Sequence, residues 1–503
     1  MSKARNLSDL LDANGDVKAS SLDNVTIPST LQDITDNGAT STDTITVGGL
    51  HVDSTNAIEL PAGTTAERPA GVAGMIRFNT TIGYLEGFDG TSWYAIAPTI
   101  PSINSSSGVL YSGQYASTDI TLTGSGFLIG QGTVNFTQAS DGIDVDVSVT
   151  PTNDTSLTVT VPTSVTENVT AGNDVTITFT NDQGGQSNGF DITATAAPTG
   201  GTVTSVGNYR VHTFNSSDTF VVGSQLTNVE YLVVAGGGAG AVWAGAGGGG
   251  AGGYRCSVPG ESSGANSSAE SPITIAAGSH TITVGAGGAG GGGWTTTKNN
   301  GNNSSIGTAV VSIGGGGAGV YNSSSGIFGP GRDGGSGGAC VTGLSTTVGT
   351  SNGTSGQGYG GGGTNPSGSG SIAYGRGAGG AGENKAFLEN PRNSSGTTDE
   401  PSKAGHGGDG LQSSIDGTAT YRAGGGGGGT YYQYGLSFMS VGSGGNGGGG
   451  DGIFMNLGEY TNPPNKTANA GAANTGGGAG GTPYFYGVSA AGGSGVVIIR
   501  YQL

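Results

Sequence analysis

Two stretches of this sequence carry the residue pattern of a dinucleotide-binding turn. Tyr231-Leu-Val-Val234 leads into Gly236, Gly238 and Ala241, and Ile282-Thr-Val284 leads into Gly285, Gly287 and Gly290. That chemistry needs a helix whose N-terminus receives a pyrophosphate. Both stretches continue instead in more glycine, as far as Gly250 in one case and Trp294 in the other. Each Gly in a helix interior costs about 1 kcal/mol, so neither tract supplies the helix and no cofactor is expected. No Lys follows a Gly, which excludes a phosphate-cradling loop. His51, His212, His280 and His406 are scattered without a second ligand at metal spacing, and Cys256 and Cys340 are too far apart for a four-ligand site. No metal is expected, and the two cysteines read as free thiols. His212 and His280 fall within strand-like runs, where a satisfied structural histidine is the expected role.

For glycan cleavage two positioned carboxylates are required. The richest acidic cluster lies at 383–403, where Glu383, Glu389, Asp399 and Glu400 alternate with Lys385, Arg392 and Lys403. Interleaved signs beside Pro391 and Pro401 fit a solvated loop better than a catalytic pair, so the chain reads as non-enzymatic, with a polysaccharide depolymerase as the alternative. The aromatic residues are more telling. Tyr431, Tyr432, Tyr434 and Phe438 share one segment, Phe454 and Tyr460 another, and Tyr484, Phe485 and Tyr486 a third, while Trp294 follows a glycine run. Such rings cap the glycine region, pack between chains or stand at loop tips as binding groups. All ten are candidates for receptor contact.

The elements that must position them are unevenly composed. Of 108 Gly, 21 lie in residues 1–197 and 87 in 198–503; the formal charges of the two parts are −16 and −2. No Lys or Arg occurs between Arg77 and Arg210. Nucleic-acid affinity is built from basic contacts to phosphates, so a net charge of −18 excludes a nucleic-acid partner. The N-terminus lacks the apolar run of a secretory signal, and no stretch approaches about 18 apolar residues. A soluble chain made in a cytoplasm, without membrane insertion, is expected.

Residues 1–60 are polar and acidic, with a short helix expected at Leu7–Ala13 and a strand at Asp43–Val47; the segment cannot bury much and reads as an attachment arm. Residues 61–98 hold two expected strands, Met75–Asn79 and Tyr84–Phe88, and an Asp89-Gly90 turn before Trp93. A unit below about 40 residues seldom folds alone, so several chains are expected to share a core built on Ile76, Phe78, Leu85, Phe88 and Trp93. Residues 99–197 alternate polar and apolar positions, as in Asp119–Thr123, Ser156–Val161 and Asp174–Phe179, which indicates a β-sandwich of about 100 residues. From 198 to 503, strand-like runs at Arg210–Phe214, Thr219–Val222, Glu230–Val234 and Gly495–Tyr501 sit near the two ends of a glycine-rich region.

A flexible glycine linker is the simplest reading of that region. Against it, the tracts alternate with apolar strands, break at Ala more than Ser, and end in an apolar strand that needs a partner. Collagen is excluded by the absence of a Gly-X-Y period and by only 17 Pro in the chain. The remaining option is extended three-per-turn glycine helices packed side by side, whose bare backbones bond to one another.

Met1–Arg5, Leu10–Val17, and Leu60–Pro69 with Gly74–Asn79, Leu85–Gly90 and Trp93 look like tail-fibre and other virion proteins of marine tailed phages, notably cyanophages. Pro101, Ile103, the run Leu122–Phe127 and the ending Asn181–Gly189 resemble the immunoglobulin-like TIG family. Tyr231–Gly238, Gly247–Tyr254, Ser304–Gly307 and Gly493–Tyr501 resemble the glycine-rich domain of phage adhesins. The resemblance implies a mostly β, elongated, multi-domain fibre: a short attachment arm (1–60) that meets other virion tail proteins, a small intertwined β-region (61–98), an Ig-like β-sandwich spacer (99–197), and a C-terminal glycine-rich β and polyglycine-helix domain (198–503). It further implies a homotrimer in the virion, assembled in the host cytoplasm, whose loops meet a host surface receptor, either lipopolysaccharide or an outer-membrane protein. A purely structural virion fibre or decoration stays open as the alternative.

Overall fold

The computed structural model describes residues 60–81, 84–96, 99–113, 117–127, 131–182, 184–243, 245–291, 298–322, 327–341, 350–363, 372–383, 404–432, 440–456, 467–483 and 488–502. The expected helix at Leu7–Ala13, the strand at Asp43–Val47 and all but the last residue of the arm lie outside them. The chain divides into two compact units, Met1–Ala97 and Pro98–Leu503. Nearly all regular structure is β, in many small sheets.

In the first unit, β1 (Ala62–Gly63), β2 (Ile76–Asn79), β3 (Tyr84–Phe88) and β4 (Trp93–Ile96) form one sheet in that order. Asp89 holds the β3–β4 turn by accepting from the Ser92 and Thr91 amides, which draws its carboxyl down to about 2. Register places Ile76, Gly87 and Tyr94 in one row and Phe78, Leu85 and Ile96 in the next, so these six share a face. The opposite face carries Arg77, Asn79 and Glu86, all buried. Glu86 takes ion pairs from Arg68 at 2.6 Å and Arg77 at 3.5 Å and a hydrogen bond from Asn79 at 2.8 Å. The usual arrangement is therefore inverted, with charge covered and Ile76, Phe78, Tyr94 and Ile96 exposed.

The five residues expected to form one oligomer core are separated by this register. Ile76, Phe78 and Leu85 lie on the apolar face, whereas Phe88 and Trp93 lie on the charged one and stack on each other with centroids 5.4 Å apart. The backbone of Gly71 closes over the Phe88 ring, leaving only 2.4 Å for a Cβ there. Phe88 and Trp93 are half-buried against the unit itself.

The second unit begins with β5 (Ser102–Ser107), β6 (Tyr111–Ser112), β7 (Thr118–Ser125), β8 (Gly132–Gln138), β9 (Ile143–Val149), β10 (Ser156–Val161), β11 (Asp174–Thr180), β12 (Phe190–Thr193) and β13 (Thr195–Ala196). Two sheets, β10-β7-β5 and β12-β11-β8-β9, pack into a sandwich. Alternation decides which side chains fill it: Ile120 and Leu122, Val134 and Phe136, Leu157, Val159 and Val161, and Val175, Ile177 and Phe179 all point inward. The Thr and Asp residues between them pair across the outer faces, as Thr160 does with Asp119 and Thr176 with Asp191.

Next come β14 (Thr202–Val206), β15 (Tyr209–Phe214), β16 (Asp218–Val222), β17 (Leu226–Val234) and β18 (Tyr254–Cys256). The terminal strand Val496–Gln502 inserts between β15 and β17, so the partner that this apolar run requires is the start of its own domain. Val497, Ile499 and Tyr501 pack on one side of that sheet, and Val496 and Ile498 on the other.

His212 sits in this sheet, fully buried between Phe220 and Tyr501. Its Nδ1 donates to the Gly200 carbonyl at 2.8 Å and its Nε2 lies 3.2 Å from the Tyr501 hydroxyl. Burial outweighs the Gly200 carbonyl and, with nearby Arg210, draws the imidazole down to about 4. The unfolded chain keeps the ordinary value near 6.5. Stability should therefore be level above pH 6.5 and fall by about 3 kcal/mol as the pH drops to about 4, because only the unfolded state takes up the proton in that window. Denaturant melts of the wild type and of His212→Asn at pH 7 and pH 4.5 check this, the variant losing that part of the difference.

Beyond β17 the glycine tracts form a lattice. Along one tract the amide donors run in rotation: Gly236 to Asn302, Gly237 to Gly493, Gly238 to Gly250, then Ala239 to Asn299, Gly240 to Ala490 and Ala241 to Gly247. Every third residue returns to the same neighbour, three residues further along it. The tract Gly248–Gly253 repeats the rotation onto segments around 376–379, 476–479 and 313–316, and Gly424–Thr430 onto those around 447–453, 405–408 and 246–249. A period of three is that of a polyproline II-type helix, so the expected three-per-turn glycine helices are present, each bonded to several neighbours. Turn glycines such as Gly291 and Gly447 have positive φ, but no Gly of 236–240 or 247–253 does.

Candidate functional site

Every tract joins a strand end to a loop end. At the strand end, Ala235 donates to Gly253 and Gly495 to Gly285. At the other, Val242 bridges Thr482, Trp243 donates to Thr482, Gly291 donates to Ser489, Cys340 to Gly362, and Ala404 to Ser440. Strand Thr430–Tyr432 pairs there with Ile372–Tyr374 and Phe454–Asn456. The described residues on both sides of 292–297, 342–349, 364–371, 433–439, 457–466 and 484–487 thus gather at one end. Much of the bonding at this end is backbone to backbone, with side chains such as Thr482 and Ser489 adding to it.

Of the aromatic candidates, Tyr431 is buried in its strand and Phe454 is half-buried in the neighbouring one. Tyr432 lies in the same strand as Tyr431; its side chain, and Trp294, Tyr434, Phe438, Tyr460, Tyr484, Phe485 and Tyr486, lie outside the described residues. Tyr431 therefore packs inside the scaffold instead of presenting its ring. Trp243, passed over in the sequence, stands at this end with φ of 127° and packs partly against Ala241, Ala246, Ala318 and Val341. An L-residue held at such a φ stores strain.

Two buried cations also belong to this end, and composition gave no sign of them. Lys298 donates from Nζ to the Gly291 carbonyl at 3.3 Å, and burial lowers its ammonium to about 8. Arg376, in the tract that begins at Gly375, is buried, and burial lowers its guanidinium too. The sequence carried no signal for either, since Lys298 stands among Thr and Asn and Asp451, set between two glycines as Arg376 is, is exposed. Cys340 and Cys256 are both buried and free, their thiols pushed up to about 11 and about 12 by burial. Neither is a nucleophile at neutral pH.

The dinucleotide-like turns do different work. Amides of Gly236, Gly237 and Gly238 are all bonded to other tracts, which leaves them no hydrogen for a pyrophosphate. In the acidic cluster, Glu383 accepts from the Asp409 amide at 3.3 Å; Glu389, Asp399 and Glu400 lie outside the described residues. Among the described residues no His, Cys, Asp or Glu group has metal-binding geometry.

The glycine-rich domain family matches residues 211–502, more than half of the chain. The chain belongs to that family. No curated protein matches it. The match opens at Val211 in β15 and closes at Gln502 in the terminal strand, so the glycine-rich domain takes in the paired strands that anchor the lattice as well as the tracts.

Proposed function

We propose that the chain is a non-enzymatic fibre of a tailed-phage virion, which binds the host surface through the segments that join its glycine tracts. One observation carries this reading: the tracts are locked by backbone bonds, and the described residues that flank six of the segments between them gather at one end. Binding groups are commonly borne on loops held by a rigid scaffold. The sandwich of residues 99–197 serves as an immunoglobulin-like, TIG-type spacer, residues 1–60 dock onto other tail proteins, and residues 61–98 hold three copies together through the bare apolar face of their sheet. The receptor is lipopolysaccharide or an outer-membrane protein. Its contacts are individually weak and gain strength by repetition over three chains and several fibres.

The test is competition. Saturating purified chain should reduce phage adsorption to susceptible cells at least about tenfold, a loss in keeping with multivalent capture. Unchanged adsorption would make the fibre purely structural, and release of reducing sugar from host polysaccharide would make it a depolymerase.

A further inference from the structure

Where the glycine lattice meets solvent, side chains complete the rotation of its hydrogen bonds. Along Gly314–Gly319 the amides of Gly315 and Ala318 donate to Gly236 and Ala239, and those of Gly316 and Gly319 to Ser336 and Ala339. The third row, Gly314 and Gly317, donates instead to the Oδ1 atoms of Asn303 and Asn300, both at 2.9 Å. Asn300 also donates from Nδ2 to the Asp333 carbonyl at 3.0 Å, so its side-chain amide takes the place of a backbone peptide. The tract 442–446 is finished in the same way. Gly442 and Gly445 donate to Gly428 and Gly425, whereas the Ser443 amide donates to His406 Nδ1 at 3.0 Å, that of Asn446 to Asp409 Oδ1 at 2.8 Å and that of Gly444 to Asp451 Oδ1 at 2.8 Å.

Asn300 and Asn303 are three positions apart, as are His406 and Asp409, which is the period of the helices they serve. Asn303, His406 and Asp451 are exposed, so these caps stand between the lattice and water. The tract Gly285–Gly291 is guarded by methyl groups. A Cβ on Gly285 or Gly288 would stand 2.0 or 2.3 Å from the carbonyl oxygens of Asn302 or Asn299, and one on Gly287 or Gly290 1.9 or 2.2 Å from those of Gly492 or Ser489. Two of its rows must therefore be glycine. The third row, Ala286 and Ala289, is exposed, and its methyls fill the space into which another glycine row would pack. A bare row of amides repeating every three residues, about 9 Å, matches the carbonyl row of any like tract, and would take up a tract of another chain as an open sheet edge takes up a strand. We propose that Asn300, Asn303, His406, Asp409 and Asp451, with the methyls of Ala286 and Ala289, close the lattice against a second copy of this chain. Neighbouring glycine-rich domains then stay separate, whatever their loops bind.

Light scattering of the full chain over a range of concentrations, beside hydrogen exchange, tests this. Asn300→Ala combined with Asn303→Ala bares the amides of Gly314 and Gly317. Its mass should rise with concentration to at least about twice that of the wild type, as pairing of copies requires, and fall back on dilution. The amides of 313–319 should exchange faster than in the wild type at low concentration. Asn300→Asp combined with Asn303→Asp keeps an acceptor at both positions and should keep the wild-type mass and exchange. His406→Ala combined with Asp409→Ala repeats the experiment on the second tract, and decides it where the first pair does not fold. Faster exchange with an unchanged mass would leave these side chains a stabilising role alone and overturn the inference. Association of the Asp pair as strong as that of the Ala pair would overturn it too.

Discussion

Gly426→Val should collapse the glycine lattice, with loss of at least about 3 kcal/mol, the upper end of overpacking costs. Over residues 211–502, at about 2.1 cal/mol/K per residue, that is a fall in melting temperature of roughly 5 °C. The reason is local. A Cβ on Gly426 would stand 2.0 Å from the Ala479 carbonyl oxygen and 2.6 Å from its carbon, and backbone cannot swing aside as a flexible side chain does. Moving Ala479 away breaks its bond from Gly249 at 2.7 Å and its donation to Gly238 at 3.1 Å. Moving Gly426 instead breaks its donation to Gly249 and its acceptance from Ala378, both 3.0 Å. Because each tract shares its partners with others, neither movement stays confined to one contact. Gly142→Asn is the control: Gly142 has φ of 67° and nothing within 4 Å of an added Cβ, and Asn tolerates that conformation. Calorimetry of the two variants separates the cases, and an unchanged transition in Gly426→Val would contradict the lattice.

How much of this was legible varies with the kind of signal. Period-two alternation located β10 and β11 within one residue and β7 within two, because a half-buried strand writes its faces into the sequence. The glycine helices were legible as a class, since Gly and Ala leave no alternative core. Which tract bonds to which was not: Gly248 donates to Arg376 and Gly249 to Ala479, and neighbouring glycines carry no side chain that distinguishes partners at such separations. The hairpin of Leu411–Ser413 and Thr420–Arg422 did leave a mark, an Asp416-Gly417 turn between short polar runs, although nothing local indicated that Ser414 beside it would bond Glu261. One expectation failed on arithmetic already available. Leu85 and Phe88 are three positions apart in a single strand, so they cannot share a face, and an oligomer core containing both was excluded by parity before any packing was considered.

Parity also decides which substitution should separate the chains. If three chains assemble as proposed, Phe78→Asp is expected to convert the assembly into single chains, lowering the mass measured by light scattering to one third. Phe78 lies level with Leu85 and Ile96 in the first sheet, and beside the row of Ile76, Gly87 and Tyr94 on the same face. Exposures of 50% at Ile76, 38% at Phe78, 51% at Tyr94 and 43% at Ile96 leave this face bare in a single chain. None of its six residues is charged, so a second copy of the same face meets no unpaired charge, whereas a strongly charged partner would leave its own charges desolvated. Among the described residues of the unit, the 61–75 segment is engaged on the other side: Arg68 pairs with Glu86 and Gly71 lies over Phe88. An aspartate at 78 would be ionised and enclosed by apolar rings in the assembly, at a cost of several kcal/mol per chain, while in a single chain it would face water. That asymmetry makes the substitution act on association and spare the sheet. Ala66→Asp places the same charge on an exposed residue of the 61–75 segment, on the other side of the sheet, and should leave the mass unchanged; if Phe78→Asp also kept the assembled mass, the apolar face would not be the joint between chains.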